Sequence, residues 1–339
     1  MYRRRRRLFG MTVVLMAVAL VASIARTDRR LDGFNIIVSP GHPFGSASAR
    51  QSLTLAKKVG ASAIAIVPFL WQATPTSADI VRGSDMDDAG LRQAIREARR
   101  LGLATIVKPQ VWVDGSWAGA ITLGADGDWH AWFARYRAQL VRLARVAAEE
   151  RADVFCVGTE LSRTIERAEW ASVIDAVRVN FPGELVYAAH NVEEAERVPF
   201  WDRLDAIGVT LYPPLGNDGD RSFRLAIMRG IVDRLDALAV RTGKPVVVGE
   251  IGIRSAQGAA AAPWESAEER EAETDLALQA DVLSDWLKSL DRPSIRGVLV
   301  WRWFTDPNAG GKTDTDFTVQ NKPAERVLAC AWLLRCDAD

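Results

Sequence analysis

Eight short apolar runs recur along the chain, and all but the fifth are followed by a stretch with helical spacing. The runs are Phe34 to Val38, Ala63 to Val67, Ala104 to Val107, Val154 to Val157, Leu185 to Ala189, Ala206 to Leu211, Val246 to Val248 and Gly297 to Val300. Each is too short for a helix and rich in branched or aromatic residues, the pattern of a strand buried on both faces. The helical stretches are expected near 46–58, 88–101, 129–150, 166–180, 222–242, 266–290 and 323–334. This rhythm fits a closed (β/α)8 barrel or an open doubly wound sheet. The count of eight favours the barrel. So does the clustering of polar and aromatic residues at the carboxyl ends of nearly all the runs, because a barrel brings those ends to one face. No Gly-x-Gly-x-x-Gly follows the first run, so a dinucleotide fold lacks its usual support. The 339 residues suffice for one large α/β domain, and no second domain or short repeat is visible.

Two runs end in glutamate: Gly158-Thr159-Glu160 and Gly249-Glu250. A carboxylate where a hydrophobic strand stops is costly unless something pairs or uses it. A buried ion pair with an arginine is the simpler reading of either one alone. Two carboxylates at the ends of two parallel strands are what glycoside hydrolysis needs. By their order, Glu160 is expected to be the general acid/base and Glu250 the nucleophile. A nucleophile must stay ionised, and Tyr212, at the end of the preceding strand, is the expected donor to it. The acid must hold a proton, which an apolar, partly desolvated setting would favour.

Other strand ends add candidates for sugar contact. Trp301 and Trp303 alternate on the eighth run and are expected on one side, either as a stacking platform or as packing against outer helices. Trp71 and Trp112 are similar. Lys108 suits sugar hydroxyls or a carboxylate partner, and His190 or Asn191 suits a hydroxyl beside the cleaved bond. Asp306, Asp314 and Asp316 lie in a polar loop and read as turn formers.

Composition narrows the partners. Lys plus Arg equals Asp plus Glu at 43 each, which gives no reason to expect a nucleic-acid surface. The twelve Trp exceed what a core needs, and flat apolar rings match sugar faces. His42, His130 and His190 are scattered and form no zinc spacing with the cysteines, so neither metal nor cofactor is expected. Cys156 reads as a core residue. Cys330 and Cys336 can pair only if the last helix unwinds before Cys336. Arg3 to Arg7 followed by the apolar Leu8 to Ala25 reads as an export signal or a single membrane anchor, with a cleavage option after Ala25. Residues 26–33 read as a linker and 34–339 as the catalytic domain. That domain is expected to be monomeric, periplasmic or extracellular, and tied to a membrane only through the N-terminal segment.

Several stretches together resemble a known family. They are Lys108-Pro109, Phe155 to Leu161, Leu185 to Ala189, Pro199 to Asp202, Leu204 to Gly208, Tyr212-Pro213, Gly249 to Gly252 and Gly310 to Phe317. As an ordered set they resemble glycoside hydrolase family 113, the β-mannanase family of clan A. The resemblance implies a (β/α)8 barrel, a retaining double displacement, an acid/base at Glu160, a nucleophile at Glu250, an oligo- or polysaccharide substrate and no cofactor. Three positions depart from the family pattern. Gln110 stands where histidine is usual, His190-Asn191-Val192 where Asn-Trp is usual, and Ile253 where tyrosine is frequent. These positions shape the sugar pocket. They support a second reading, a glycan-binding barrel without turnover that serves polysaccharide assembly or export. A metal-dependent hydrolase is disfavoured by the near absence of histidine at strand ends.

Overall fold

The structure is a computed structural model, and it describes residues 30–334. Eight parallel strands close into a barrel: β1 (Gly33–Ile37), β2 (Ala63–Ile66), β5 (Ala104–Val107), β7 (Val154–Thr159), β8 (Glu184–His190), β9 (Ala206–Leu211), β10 (Val246–Ile251) and β11 (Ile295–Phe304). They follow one another around the ring in chain order, and β11 closes on β1. Eight helices are described: α1 (Ala47–Lys58), α2 (Asp88–Arg100), α3 (Asp126–Glu149), α4 (Trp170–Asn180), α5 (Asn191–Ala195), α6 (Arg221–Thr242), α7 (Leu276–Ser289) and α8 (Pro323–Leu333). This is the (β/α)8 barrel. The short α5 fills the gap after the fifth barrel strand, where no helical pattern was legible.

Local chemistry sets the helix ends. The side chains of Ser46, Asp87, Asp220 and Asp275 accept from the backbone N–H three residues on, capping α1, α2, α6 and α7. Gly243 takes the left-handed conformation, φ +67°, that stops α6. Helix α7 begins ten residues later than the expected Ser266. The buried Arg254 donates to the carbonyls of Ser266 and Arg270, both at 3.0 Å, and so holds that stretch as an irregular loop. The barrel also starts early. Leu31 is buried and its N–H donates to the Arg296 carbonyl at 2.9 Å, so residues 31–33 of the expected linker belong to the first strand and its entry. The expected signal or anchor lies outside the described residues. Among the described residues no helix is long and apolar enough to cross a membrane. Cys330 is disulfide-bonded, while Cys336 lies outside the described residues.

The strands are apolar on both faces for two different reasons. Residues such as Phe155, Val157, Ile207 and Val248 pack outward into the cluster shared with the helices. Residues facing the barrel axis form a second, inner cluster dominated by small side chains, including Ala63, Ala65, Ala104, Ala188, Ala206 and Cys156. Small residues are needed there because the strands converge on a narrow axis.

Two prolines shape the rim. Pro68 and Pro109 lack the N–H that a ladder uses, and each stands just beyond the end of a barrel strand, β2 or β5. The chain then leaves the barrel and pairs again outside it. There, β3 (Phe69–Gln72), β4 (Val81–Arg82) and β6 (Gln110–Val113) make a three-stranded sheet in the order β4-β3-β6. Trp71 faces Trp112 in its register.

Gly158, inside β7, is fixed by close packing. A Cβ there would lie 2.8 Å from Cη2 of Trp170 and 2.8 Å from Cε2 of Tyr187. Gly158→Ala is expected to cost about 1–3 kcal/mol through overpacking. Urea unfolding of the two proteins checks this.

Candidate active site

The carboxyl ends of the strands form one mouth, and both glutamates lie on it. Glu250 reaches it through a β-bulge. Val246 and Val248 pack outward, and strict alternation would send Glu250 the same way. The register between β10 and β9 shifts between Val248 and Glu250, so Gly249 and Glu250 oppose a single position, and the extra residue turns Glu250 to the axis. Glu160 follows β7, which has its own register shift against β8 between Cys156 and Thr159. Glu160 itself lies in the left-handed region, φ +55°, and its N–H donates to the Ala188 carbonyl at 2.8 Å.

Glu250 is buried and both its oxygens accept hydrogen bonds. Lys108 Nζ pairs with Oε1, and the Tyr212 hydroxyl donates to Oε2 at 2.8 Å. Burial pushes the Glu250 carboxyl above its ordinary value, and the charge of Glu160 adds to that. Lys108 and Tyr212 oppose the shift without cancelling it. Glu160 differs. Its Oε1 accepts from Thr210 Oγ1 at 2.6 Å and lies 3.2 Å from His190 Nδ1. Burial would raise its carboxyl, but His190, Thr210 and the Lys108 charge outweigh burial and hold it below the usual range. The setting of Glu160 is therefore polar rather than the apolar one expected for a resting acid.

The other expected contacts divide. Lys108, 1% exposed, serves Glu250 and also donates to Gln110 Oε1 at 3.2 Å; its ammonium lies 5.4 Å from the centre of the Trp301 ring. Trp301 is half-buried on this rim. Trp303 goes the other way. Between Val300 and Trp303, β11 carries one residue more than β1 does between Phe34 and Ile36, and this shift breaks the alternation. Trp303 is 1% exposed, 4.6 Å from the Phe34 ring, and donates from Nε1 to Ser52 Oγ on α1 at 2.8 Å. It is a packing residue between barrel and helices, which corrects its expected place beside Trp301. Trp71 and Trp112 are 42% and 50% exposed with ring centres 5.8 Å apart, on the side sheet. Asn191 is engaged: its Oδ1 accepts from Tyr212 N–H at 2.9 Å and its Nδ2 lies 3.1 Å from His190 Nε2.

Three participants escape a reading of strand ends alone. Thr210 alternates with Ala206 and Gly208 toward the axis, so a period of two pointed to it. Glu194 on α5 accepts from the Tyr187 hydroxyl at 2.6 Å, from Ser162 Oγ and from His190 N–H at 3.1 Å, which anchors the end of β8. Nothing local marked it. Trp117 lies in the loop after β6, 44% exposed, with its ring centre 4.9 Å from that of His190. Among the described residues no group of three or more His, Cys, Asp or Glu side chains is placed to hold a metal ion.

A parallel barrel with two carboxylates at its mouth, one fixed by an ammonium and a phenol, is the frame of a glycoside hydrolase. Comparison with known proteins narrows this. The profile of Glycoside Hydrolase Family 113 matches residues 34–322, and the chain belongs to that family. Among solved structures it is similar to the family 113 β-mannanase AaManA from Alicyclobacillus acidocaldarius in complex with ManMIm. Identity is 25% and the TM-score 0.80, over 90% of this chain and 98% of that one. It is likewise similar to a family 113 β-1,4-mannanase at 27% identity and TM-score 0.80, over 91% of this chain and all of that one. A β-glucuronidase from Ruminococcus gnavus shares only the fold, at 14% identity and TM-score 0.62, over 90% of this chain and half of that one. No curated protein sequence matches significantly.

The two tryptophans of β11 should separate in experiment. Trp303→Ala is expected to cost about 3–5 kcal/mol in urea unfolding, the loss typical of a buried aromatic. Trp301→Ala should leave the unfolding midpoint nearly unchanged and weaken glycan binding measured by calorimetry.

Proposed function

We propose that the protein is an exported retaining β-mannanase that cleaves β-1,4-linked mannan or manno-oligosaccharides by double displacement. The observation that carries this reading is the unequal pairing of the two mouth carboxylates. Glu250 accepts from an ammonium on one oxygen and a phenol on the other, donors that favour its ionised form, while each oxygen keeps a lone pair for attack. It therefore acts as the nucleophile. Glu160 receives its bonds from His190 and Thr210 on Oε1 alone and is more exposed, at 17% of its side chain against 4% for Glu250. It acts as the acid/base. The directions of the two carboxyl groups in the free site, Glu160 down and Glu250 up, run against these roles taken singly. They belong to a coupled pair. A proton placed on Glu160 removes the negative charge that lifts Glu250, so protonating the acid promotes ionisation of the nucleophile.

The sugar class rests on the two structures named as β-mannanases. Trp301 beside the glutamates, and Trp71 and Trp112 on the side sheet, supply ring faces for a chain of sugars. His190 beside Glu160 and Gln110 beside Lys108 add polar groups next to the carboxylates. Export rests on the arginine run and the apolar stretch to Ala25.

Glu160→Ala and Glu250→Ala should each lower turnover of mannotetraose by about 10³-fold or more while thermal unfolding stays close to that of the parent. The first product should have the β configuration by NMR, as retention demands; an α product would overturn the mechanism. Lys108→Met removes the cation that favours ionised Glu250, so the acid limb of the kcat/KM profile should move to higher pH. After expression in a host with an export pathway, the protein should appear either without its first 25 residues outside the cytoplasm or intact in the membrane fraction. Intact protein confined to the cytoplasm would exclude export.

A further inference from the structure

A line of three hydrogen bonds runs from Tyr212, just after β9, to Glu160, and its direction is fixed at its origin. The backbone N–H of Tyr212 can only donate, so Asn191 presents Oδ1 to it, at 2.9 Å. The Asn191 amide must then turn Nδ2, a donor, toward His190 Nε2 at 3.1 Å. His190 Nε2 must accept, so the ring proton of the neutral imidazole sits on Nδ1 and points at Glu160 Oε1, 3.2 Å away. Thr210 donates to the same oxygen at 2.6 Å, since its hydroxyl is the proton source of that bond. Two further contacts hold the residue in place. Its own backbone N–H is bound by Glu194, and Trp117 lies against its ring.

We propose that His190 is a positioning residue: locked as the Nδ1–H tautomer by Asn191, it makes Oε1 of Glu160 a permanent acceptor and leaves Oε2 to carry the transferable proton. This rests on the reading of Glu160 as the acid/base. The charged groups around His190 are Glu160 just after β7, Glu194 from α5 and Glu250 from β10, and Lys108 just after β5 acts on both catalytic glutamates. Those carboxylates favour an imidazolium, against burial, and lift His190 above its ordinary value. The hydrogen bond to Asn191 opposes this. A proton on Nε2 would face the Asn191 NH2, and that amide cannot turn without abandoning the Tyr212 N–H. The geometry decides for the neutral ring, so the extra proton of the acid form goes to Glu160. In glycosylation Oε2–H protonates the departing oxygen and its electron pair stays on the carboxylate. In deglycosylation the same oxygen takes a proton from the attacking water. Oε1 keeps its two donors throughout, so no reorganisation of the pair is needed between the steps.

The test uses the full chain with mannotetraose and a 2,4-dinitrophenyl β-mannoside, whose leaving group needs no proton. His190→Phe removes a donor to ionised Glu160, so Glu160 holds its proton to higher pH and the alkaline limb of kcat/KM should move upward. Asn191→Asp keeps a residue type tolerated at the left-handed φ of +55° and puts a carboxylate against Nε2. The proton then moves to His190, and kcat/KM on mannotetraose should fall about 10²-fold more than on the dinitrophenyl substrate. In the parent enzyme, 15N NMR should show His190 as neutral Nδ1–H at neutral pH. An imidazolium or an Nε2–H tautomer would overturn the proposal, as would an unmoved alkaline limb in His190→Phe or an equal fall on both substrates in Asn191→Asp. Glu160→Ala separates this from the reading beneath it. If that variant still cleaves mannotetraose well, the acid/base assignment itself fails. If it is inactive while His190→Phe keeps the parent profile, only the role of His190 fails.

Discussion

The ion pair between Lys108 and Glu250 is the constraint on which the mouth of the barrel depends. Both groups come from strand ends, and their side chains are almost wholly withdrawn from water, 2% and 4% exposed. Two such charges are costly to bury, and their attraction offsets that cost only when the remaining hydrogen-bonding positions are filled. Here several of them are used. Gln110 takes a second bond from the ammonium, Tyr212 gives one to the other carboxylate oxygen, and the Trp301 ring lies near the cation. The pair thus ties β5 and β6 to β9 and β10 across the opening. It also explains how glutamine serves at position 110, where a side-chain acceptor is what the ammonium requires.

The fold was legible because its signal is repeated. Eight apolar runs and the glycine, proline and Asx punctuation between them each carry weak information, and together they fix a ring. The end of each run was legible for the same reason, which is how Glu160, Glu250, Lys108 and Tyr212 stood out. Facing was not legible. Alternation predicts that Trp301 and Trp303 look the same way and that Glu250 looks outward with Val248. Both statements fail, each at a single inserted residue in one strand of a pair. A bulge is a property of two strands in register, so no window of one strand can reveal it. The late start of α7 also lies beyond a local window. Residues 266–275 have helix-forming composition, but a buried guanidinium from earlier in the same loop claims the Ser266 and Arg270 carbonyls.

The polar residues around Glu160 form a shell of their own, mostly distinct from that of Glu250. Glu194, Tyr187 and Ser162 hold one another below the rim, and Asn191 and His190 continue the line to the carboxylate. One glutamate is thus supported by a cation and a phenol, the other by a hydroxyl and an imidazole. Two chemically identical side chains thus sit among different neighbours, which is the general device by which a site can run acid and base chemistry together, and the proposed roles rest on that difference.

Under the proposed function the side sheet would bear on binding as well as architecture. Trp71 and Trp112 are opposite rungs of a hydrogen-bonded ladder that begins just past two prolines at the barrel wall. Their backbone freedom was surrendered when the chain folded, so a glycan bound there, as the proposed function has it, would not have to still them and would lose little adhesion to ordering the surface it meets. A lone aromatic on a loose loop would grip the same sugar face more weakly.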